Sequence, residues 1–411
     1  MYDPVCLREE FPLLSEVIYL DNAATTQTPV RSVEAICDFF YEYAGNYGRG
    51  THRLARETTH RCEESRERLA SFLGAYPEQI IWTGNTTGAI NLVAQGLSWK
   101  KGDEVLCSAL EHHSNLLPWL ALKKRGVKVR IIPQEQGYVN PDDLGDLITG
   151  RTRVVAITQM TNVTGTVQPI DEIAAITHDA GGVIVVDGAQ SVGHIPVDIS
   201  SMDYLAIAGH KGLLGPQGIG ALFAEEPDTL VSSQFGGGTV VHVSHTSVTL
   251  RQPPARFEPG TPNIPGIIGL GPAIGLVEEL GIDAINRHEE EIGGLLFDEL
   301  ECIDGVQVFS PRGTPVVSFG VPGMHPDILG RHLDEMAAVC VRSGMHCAEP
   351  FTRTFCEEGT VRASVACYNT REEILILADT LRDLMETWDP ALESPYVPEQ
   401  DPWETKKSRC P

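Results

Sequence analysis

Between residues 79 and 225 the chain repeats one rhythm: a short run of apolar residues, then a longer stretch with apolar positions at helical spacing. Alternation of this kind is the signature of βα units on a parallel sheet. Seven runs are expected as strands, over residues 79–82, 104–108, 128–132, 154–158, 183–186, 204–208 and 220–224. They lack polar alternation, which suits strands covered by helices on both faces. A helix is expected over 86–97. The segment 232–262 breaks the rhythm with Gly, Pro, Thr and Val in no clear period, and reads as an irregular connection or a hairpin.

From residue 267 a helical pattern runs to 280 and resumes over 285–300. Short strands are expected at 306–309, 316–319 and 338–341, and a helix over 371–388. The fold class is therefore α/β: a large domain over residues 21–266 with a mainly parallel seven-stranded sheet, and a smaller α+β domain built from 1–20 and 267–388. Residues 389–411, rich in proline and charge, read as an extended tail.

Composition narrows the function. A chain of 411 residues with 42% hydrophobic and 21% charged residues is that of an ordinary globular protein. A net charge of −25 argues against nucleic acid or an anionic membrane surface as a partner, since both demand basic patches. No apolar stretch reaches the length of a membrane span, and the first residues lack the basic and apolar regions of a signal peptide. The 10 cysteines show no paired zinc-type spacing and read as reduced thiols. A cytoplasmic enzyme is expected.

The chemistry gathers where strands end. The run 183–186 leads into Asp187-Gly188-Ala189-Gln190, and the run 204–208 into Gly209-His210-Lys211. Neighbouring parallel strands would deliver this carboxylate and amine to one edge. Pyridoxal phosphate requires such a pair, a lysine to condense with its aldehyde and an acid beside its ring nitrogen. A surface lysine and a helix-capping aspartate would look the same locally.

Thr86 and Thr87 open the helix expected after the first strand, as a phosphate cradle or simply as an N-cap. Glu111-His112-His113 follows the second strand, where a histidine could stack on a pyridine ring; no ligand-spaced cluster accompanies it, and no metal is expected. Asn162 follows the fourth strand as a ligand contact or a turn residue. Cys347, in a Gly-containing loop with His346 and Arg342, is a reactive thiol or an inert one. Arg362, inside a strand-like stretch, awaits a substrate carboxylate or a structural ion pair. Open α/β sheets bind ligands beyond the carboxyl ends of their strands, so these features point to one site.

Taken together the segments resemble the class V aminotransferase superfamily and, within it, the SUF-type (group II) cysteine desulfurases, close to the selenocysteine lyases. The resemblance runs from about residue 11 to 388. It is carried by Tyr19-Leu20-Asp21-Asn22-Ala23-Ala24-Thr25, Asn85-Thr86-Thr87-Gly88, Glu111-His112-His113-Ser114-Asn115, Asp187-Gly188-Ala189-Gln190, Gly209-His210-Lys211, Arg256-Phe257-Glu258-Pro259-Gly260-Thr261-Pro262-Asn263 and Arg362-Ala363-Ser364.

The resemblance implies a fold type I pyridoxal phosphate enzyme, a homodimer with sites at the subunit interface. Lys211 would carry the cofactor, His112 would stack on it, and Asp187 would pair with its ring nitrogen. Gln190 and Asn162 would lie near its phenolic oxygen or the substrate. Thr86, Thr87 and His210 would hold the phosphate, with Thr261 contributed by the partner subunit. Arg362, helped by the Asn22-Ala23 loop, would bind the carboxylate of L-cysteine. Cys347 would take the substrate sulfur as a persulfide, leaving alanine, and pass it to an acceptor or scaffold protein for Fe–S cluster or other thio-cofactor assembly. A selenocysteine lyase, or a related lyase or aminotransferase without a persulfide step, is the alternative. The chain departs from the family pattern at Ala208, at Gly48-Arg49-Gly50-Thr51-His52 and at Met345.

Overall fold

The computed structural model describes residues 3–388. The expected tail over 389–411 lies outside them. The chain begins with short helical turns and β1 (Ile18–Tyr19), then two helices that the sequence reading omitted, Val30–Asp38 and Arg53–Leu73. The second is charged on most of its surface. Its buried positions, among them Ala55, Thr58, Cys62, Ser65, Leu69 and Leu73, recur every three to four residues and form one stripe. The His52 ring accepts the Ala55 N–H at its start, and Gly74, with φ of 74°, ends it in the left-handed region.

The expected seven strands form one sheet. They are β2 (Ile80–Thr83), β3 (Glu104–Ser108), β4 (Lys128–Ile132), β5 (Thr152–Thr158), β6 (Val183–Asp187), β7 (Tyr204–Ala208) and β8 (Gly220–Ala224), in the order β2-β8-β7-β6-β5-β3-β4. β8 runs antiparallel to both its neighbours and the other pairs are parallel. Successive residues of a strand face opposite layers, and here both layers are apolar. Val155, Ile184 and Leu205 pack toward Ile267 and Leu270, while Val154, Val185 and Ala206 pack toward Ile90 and Trp119. That double burial explains the missing polar alternation.

The segment expected as a connection or hairpin contains a hairpin, β9 (Val240–Val243) with β10 (Val248–Leu250). The helix expected from 267 starts earlier, as Ile264–Leu280, because Asn263 Oδ1 caps the Gly266 N–H at 3.1 Å. Ile282–Glu301 follows.

A second sheet is antiparallel, in the order β11 (Gln307–Val308), β12 (Val316–Gly320), β15 (Thr360–Ser364), β14 (Arg342–Gly344). The strand expected at 338–341 is divided. Ala338 adopts φ of 51° to end the helix Pro326–Ala337, β13 (Val339–Cys340) pairs in parallel with β1, and β14 joins the sheet separately. Leu296, Phe319, Leu333, Val361 and Leu377 form a core distinct from that of the large sheet. Residues following β14 carry the chain back toward the carboxyl ends of β3, β5 and β6, where the site lies. Among the described residues no helix is long and apolar enough to cross a membrane.

Candidate active site

β6 and β7 are adjacent and parallel, so Asp187 at the end of one lies beside the loop that carries Lys211 beyond the other. That loop is fixed from several sides. The Lys211 carbonyl accepts from the Thr26 hydroxyl at 2.8 Å and the Leu214 N–H at 2.7 Å, and the His210 carbonyl accepts from the Thr26 N–H at 3.0 Å. The turn after Asp187 crosses directly beneath. Gly193 has φ of 92°, and a Cβ there would come within 2.2 Å of the Gly212 carbonyl carbon. Only glycines allow the two backbones to cross so closely.

Lys211, Asp187 and most of the residues singled out from the sequence line one cavity of about 680 Å³. Ala23, Thr86, Thr87, His112, Asn162, Gln190, His210, Cys347 and Arg362 share its wall. Two do not. Asn22 is fully buried behind it, donating to the Ser364 carbonyl at 2.6 Å and accepting from the Tyr368 hydroxyl, so its side chain braces the Ala23 loop and does not reach the cavity. Thr261 is exposed elsewhere on this chain.

Burial pushes the Lys211 amine down to about 8, opposed by the charge of Asp187. Burial raises the Asp187 carboxyl, opposed by the Ala189 N–H it accepts at 2.9 Å. His112 accepts the Ser114 N–H on Nδ1 at 3.0 Å, and burial, with Lys211 nearby, pushes it down to about 3. It is a neutral imidazole with its proton on Nε2. His210 is pushed down to about 4 for the same reasons.

Arg362 lies on β15, only 3% exposed. Its Nη1 donates to the Asn162 carbonyl at 2.8 Å, and its Nη2 stands 3.4 Å from Asp21 Oδ1. Burial pushes it down to about 10, still charged at neutral pH. Asn162 donates its side-chain amide to the His346 carbonyl at 2.7 Å. Gln190 donates to the Ala23 carbonyl at 2.7 Å. Cys347 is exposed, on the short loop between β14 and the helix Glu349–Thr352.

Other groups surround the site, of which Arg342 is expected from the sequence only as a charged neighbour of Cys347. Asn85 caps the helix Thr86–Gly96 through Gly88 N–H and also lines the cavity. Ser114 meets Thr87 oxygen to oxygen at 2.6 Å. Arg342 pairs with Asp21 at 2.8 Å. Glu111 is buried, accepts the Thr158 N–H at 2.9 Å and the Asn115 amide at 2.6 Å, and is pushed up to about 8 by burial. The only sequence signal for Glu111 was an acid at a strand's end, just before His112.

The residues fit the cofactor expected from the sequence. His210 Nδ1, Thr86 Oγ1 and Arg362 Nε are buried without a partner among the described residues, and a buried unpaired polar atom is costly unless a ligand satisfies it. The first amides of Thr86–Gly96 offer an anion site. Lys211 and Asp187 supply the amine and acid.

Comparison with known proteins agrees with this chemistry. The aminotransferase class-V family pattern matches residues 18–377. A probable cysteine desulfurase from Methanothermobacter thermautotrophicus is 42% identical over 391 residues, 92% of this chain and 97% of that protein. The apo cysteine desulfurase of Thermococcus onnurineus NA1 superposes with a TM-score of 0.91 at 40% identity, over 94% of this chain and 99% of that one. An Escherichia coli cysteine desulfurase bearing an S-sulfonic acid superposes with a TM-score of 0.88 at 34% identity, over 94% and 99% of the two chains. The chain belongs to the class-V aminotransferase family and, within it, to the cysteine desulfurases.

Proposed function

We propose that this protein is a pyridoxal phosphate-dependent cysteine desulfurase that converts L-cysteine to L-alanine and carries the released sulfur as a persulfide on Cys347. The observation that carries the reading is the composition of one cavity wall: a buried amine and acid, a buried guanidinium with an unpaired Nε, and an exposed cysteine.

Thr86, Thr87, His210 and the helix amides would hold the cofactor's phosphate, Asp187 its ring nitrogen, His112 its face and Gln190 its phenolic edge. When bound, pyridoxal phosphate draws electrons from the substrate Cα and so acidifies its proton. Arg362 clamps the cysteine carboxylate with its planar fork and orients the Cα proton. Lys211 Nζ, with its affinity lowered to about 8, takes that proton and returns it at neutral pH. His112, neutral, excludes water from the ring face without adding charge. The Cys347 thiolate then attacks the substrate sulfur. A sulfur–sulfur bond forms as the substrate Cβ–S bond breaks, and the electron pair left on carbon takes up a proton to give alanine. The sulfur is oxidised as the carbon is reduced, so no external oxidant enters.

The active form is a homodimer in which Thr261 reaches the partner's phosphate site. Support comes from the exposed apolar side chains Phe235, Val241, Val243 and Val248, and from the Gly260 N–H bonded to the Gly237 carbonyl at 2.8 Å, which ties the Thr261 turn to that region. The exposed Cys347 hands its sulfur to a thiol of an acceptor protein for Fe–S cluster or other thio-cofactor assembly. Nine free cysteines among the described residues suit the reducing cytoplasm. Alanine released from cysteine by wild type, and lost in Cys347→Ser with the cofactor absorbance retained, tests the reading; full turnover by Cys347→Ser would refute it.

A further inference from the structure

Cys347 stands in backbone that ordinary residues avoid. His346 and Cys347 both have φ of 53°, two successive non-glycine residues in the left-handed region. For an L-residue with a Cβ this region is sterically unfavourable. The geometry persists only where the surroundings over-determine it.

Three anchors from three elements do so here. Asn162, beyond β5, donates to the His346 carbonyl at 2.7 Å. The His113 N–H, beyond β3, donates to the Cys347 carbonyl at 2.7 Å. The third anchor is a side chain of the turn itself. His346 turns inward, 8% exposed, and its Nε2 lies 2.7 Å from Thr360 Oγ1 on β15. Burial, with Arg362 and Arg342 close by, pushes this imidazole down to about 2, so it is a neutral hydrogen-bonding post.

The two residues of the turn differ in exposure: His346 is buried with its ring on Thr360, Cys347 is exposed, and both line the cavity. Backbone bonds alone would hold the peptide planes of the turn. The ring docked on Thr360 ties the turn to β15, the strand that also carries Arg362. Arg362 in turn holds the Asn162 carbonyl, so the carboxylate site and the cysteine turn share one connected framework.

We propose that His346 is the positioning residue for Cys347: docked on Thr360, it holds the strained turn that presents Sγ to the cavity shared with Lys211 and Arg362. The proposal rests on the reading of Cys347 as the sulfur-accepting thiol. It does not make His346 a participant in proton transfer or in cofactor binding.

The test uses the holoenzyme with His346→Ala, His346→Gln and Thr360→Val. Gln can place an amide nitrogen where the imidazole Nε2 stands, and Val nearly preserves the shape of Thr. Misplacing the thiol should lower kcat for alanine formation about tenfold or more in His346→Ala and Thr360→Val, while KM stays within about twofold and His346→Gln recovers most of the rate. Alkylation of Cys347 by iodoacetamide without cysteine present, which needs no turnover, should change at least about fivefold in the same two variants and little in His346→Gln. Cofactor absorbance and its change on adding cysteine should match wild type. Unchanged kcat and alkylation in both variants would overturn the proposal, as would a loss of the absorbance response equal to the loss of kcat. If wild type itself forms no persulfide on Cys347, the desulfurase reading falls, and a role for this turn in sulfur transfer falls with it.

Discussion

Arg362 donates to the main-chain oxygen of Asn162 at 2.8 Å and, among the described residues, keeps its Nε buried without a partner. Its nearest carboxylate, Asp21, sits 3.4 Å from Nη2 and is shared with Arg342. The guanidinium is held on one side by the Asn162 carbonyl and lines the cavity it shares with Lys211, the placement a carboxylate clamp would need. Arg362→Lys keeps a charge but loses the fork, and should raise KM for cysteine on the order of tenfold to a hundredfold. Steady-state kinetics with the cofactor spectrum as a control would check this; a KM within experimental error of wild type would remove Arg362 from substrate binding.

Lys211 gives a signed pH prediction for the apoprotein. Its amine is lowered from the ordinary lysine range to about 8 by burial. Between about pH 8 and the unfolded value the unfolded chain binds more protons, so this residue's cost to stability diminishes as pH rises through that window. Lys211→Met apoprotein should therefore be more stable than wild type at pH 7, on the order of 1–2 kcal/mol after allowance for water in the cavity, with the advantage fading toward pH 10. Urea unfolding at several pH values would measure it.

Asp187 separates catalysis from stability. Asp187→Asn keeps an acceptor for the Ala189 N–H but removes the charge that would face the ring nitrogen. Alanine formation should fall about a hundredfold or more. Burial raises this carboxyl, so its ionised form costs the fold more as pH rises through its titration. Melting of the Asn variant at pH 7 should accordingly match or exceed that of wild type, which differential scanning calorimetry would report.

Glu258 forms a bidentate pair with Arg66 at 2.8 and 3.0 Å, and also accepts the Trp82 N–H at 2.7 Å. Arg66 is 2% exposed. Glu258→Ala would leave a buried guanidinium without its main counter-ion, and should cost about 3–5 kcal/mol in denaturant unfolding. Glu258→Gln should cost clearly less.

Glu258 also illustrates what the sequence could and could not disclose. It belongs to a run that the sequence reading singled out, yet its partner lies 192 residues away, and no local pattern names Arg66. The central strands of the large sheet were legible because they are buried on both faces, the half-exposed edge strand β4 because its apolar run follows the same rhythm, and Lys211, Asp187, His112 and Thr87 because they stand where such strands end. The helix Arg53–Leu73 was overlooked because its charges mask a buried stripe that does have helical spacing. Asn22 is expected as a substrate contact because the resemblance places the Asn22-Ala23 loop beside the substrate carboxylate; which way the side chain turns depends on Ser364 and Tyr368, far along the chain. The paired left-handed residues at His346 and Cys347 were hidden for the same reason, since contacts from β15 and the loops after β3 and β5 impose them.

The most direct measurement is the location of sulfur after turnover. Purified holoenzyme is incubated with L-cysteine without reductant, its thiols are blocked, and its peptides are weighed by mass spectrometry. The account predicts one added sulfur atom on the peptide containing Cys347, matched by alanine in solution and reversed by a thiol. Alanine formation with the Cys347 peptide unmodified, and the sulfur free or on another cysteine, would contradict it.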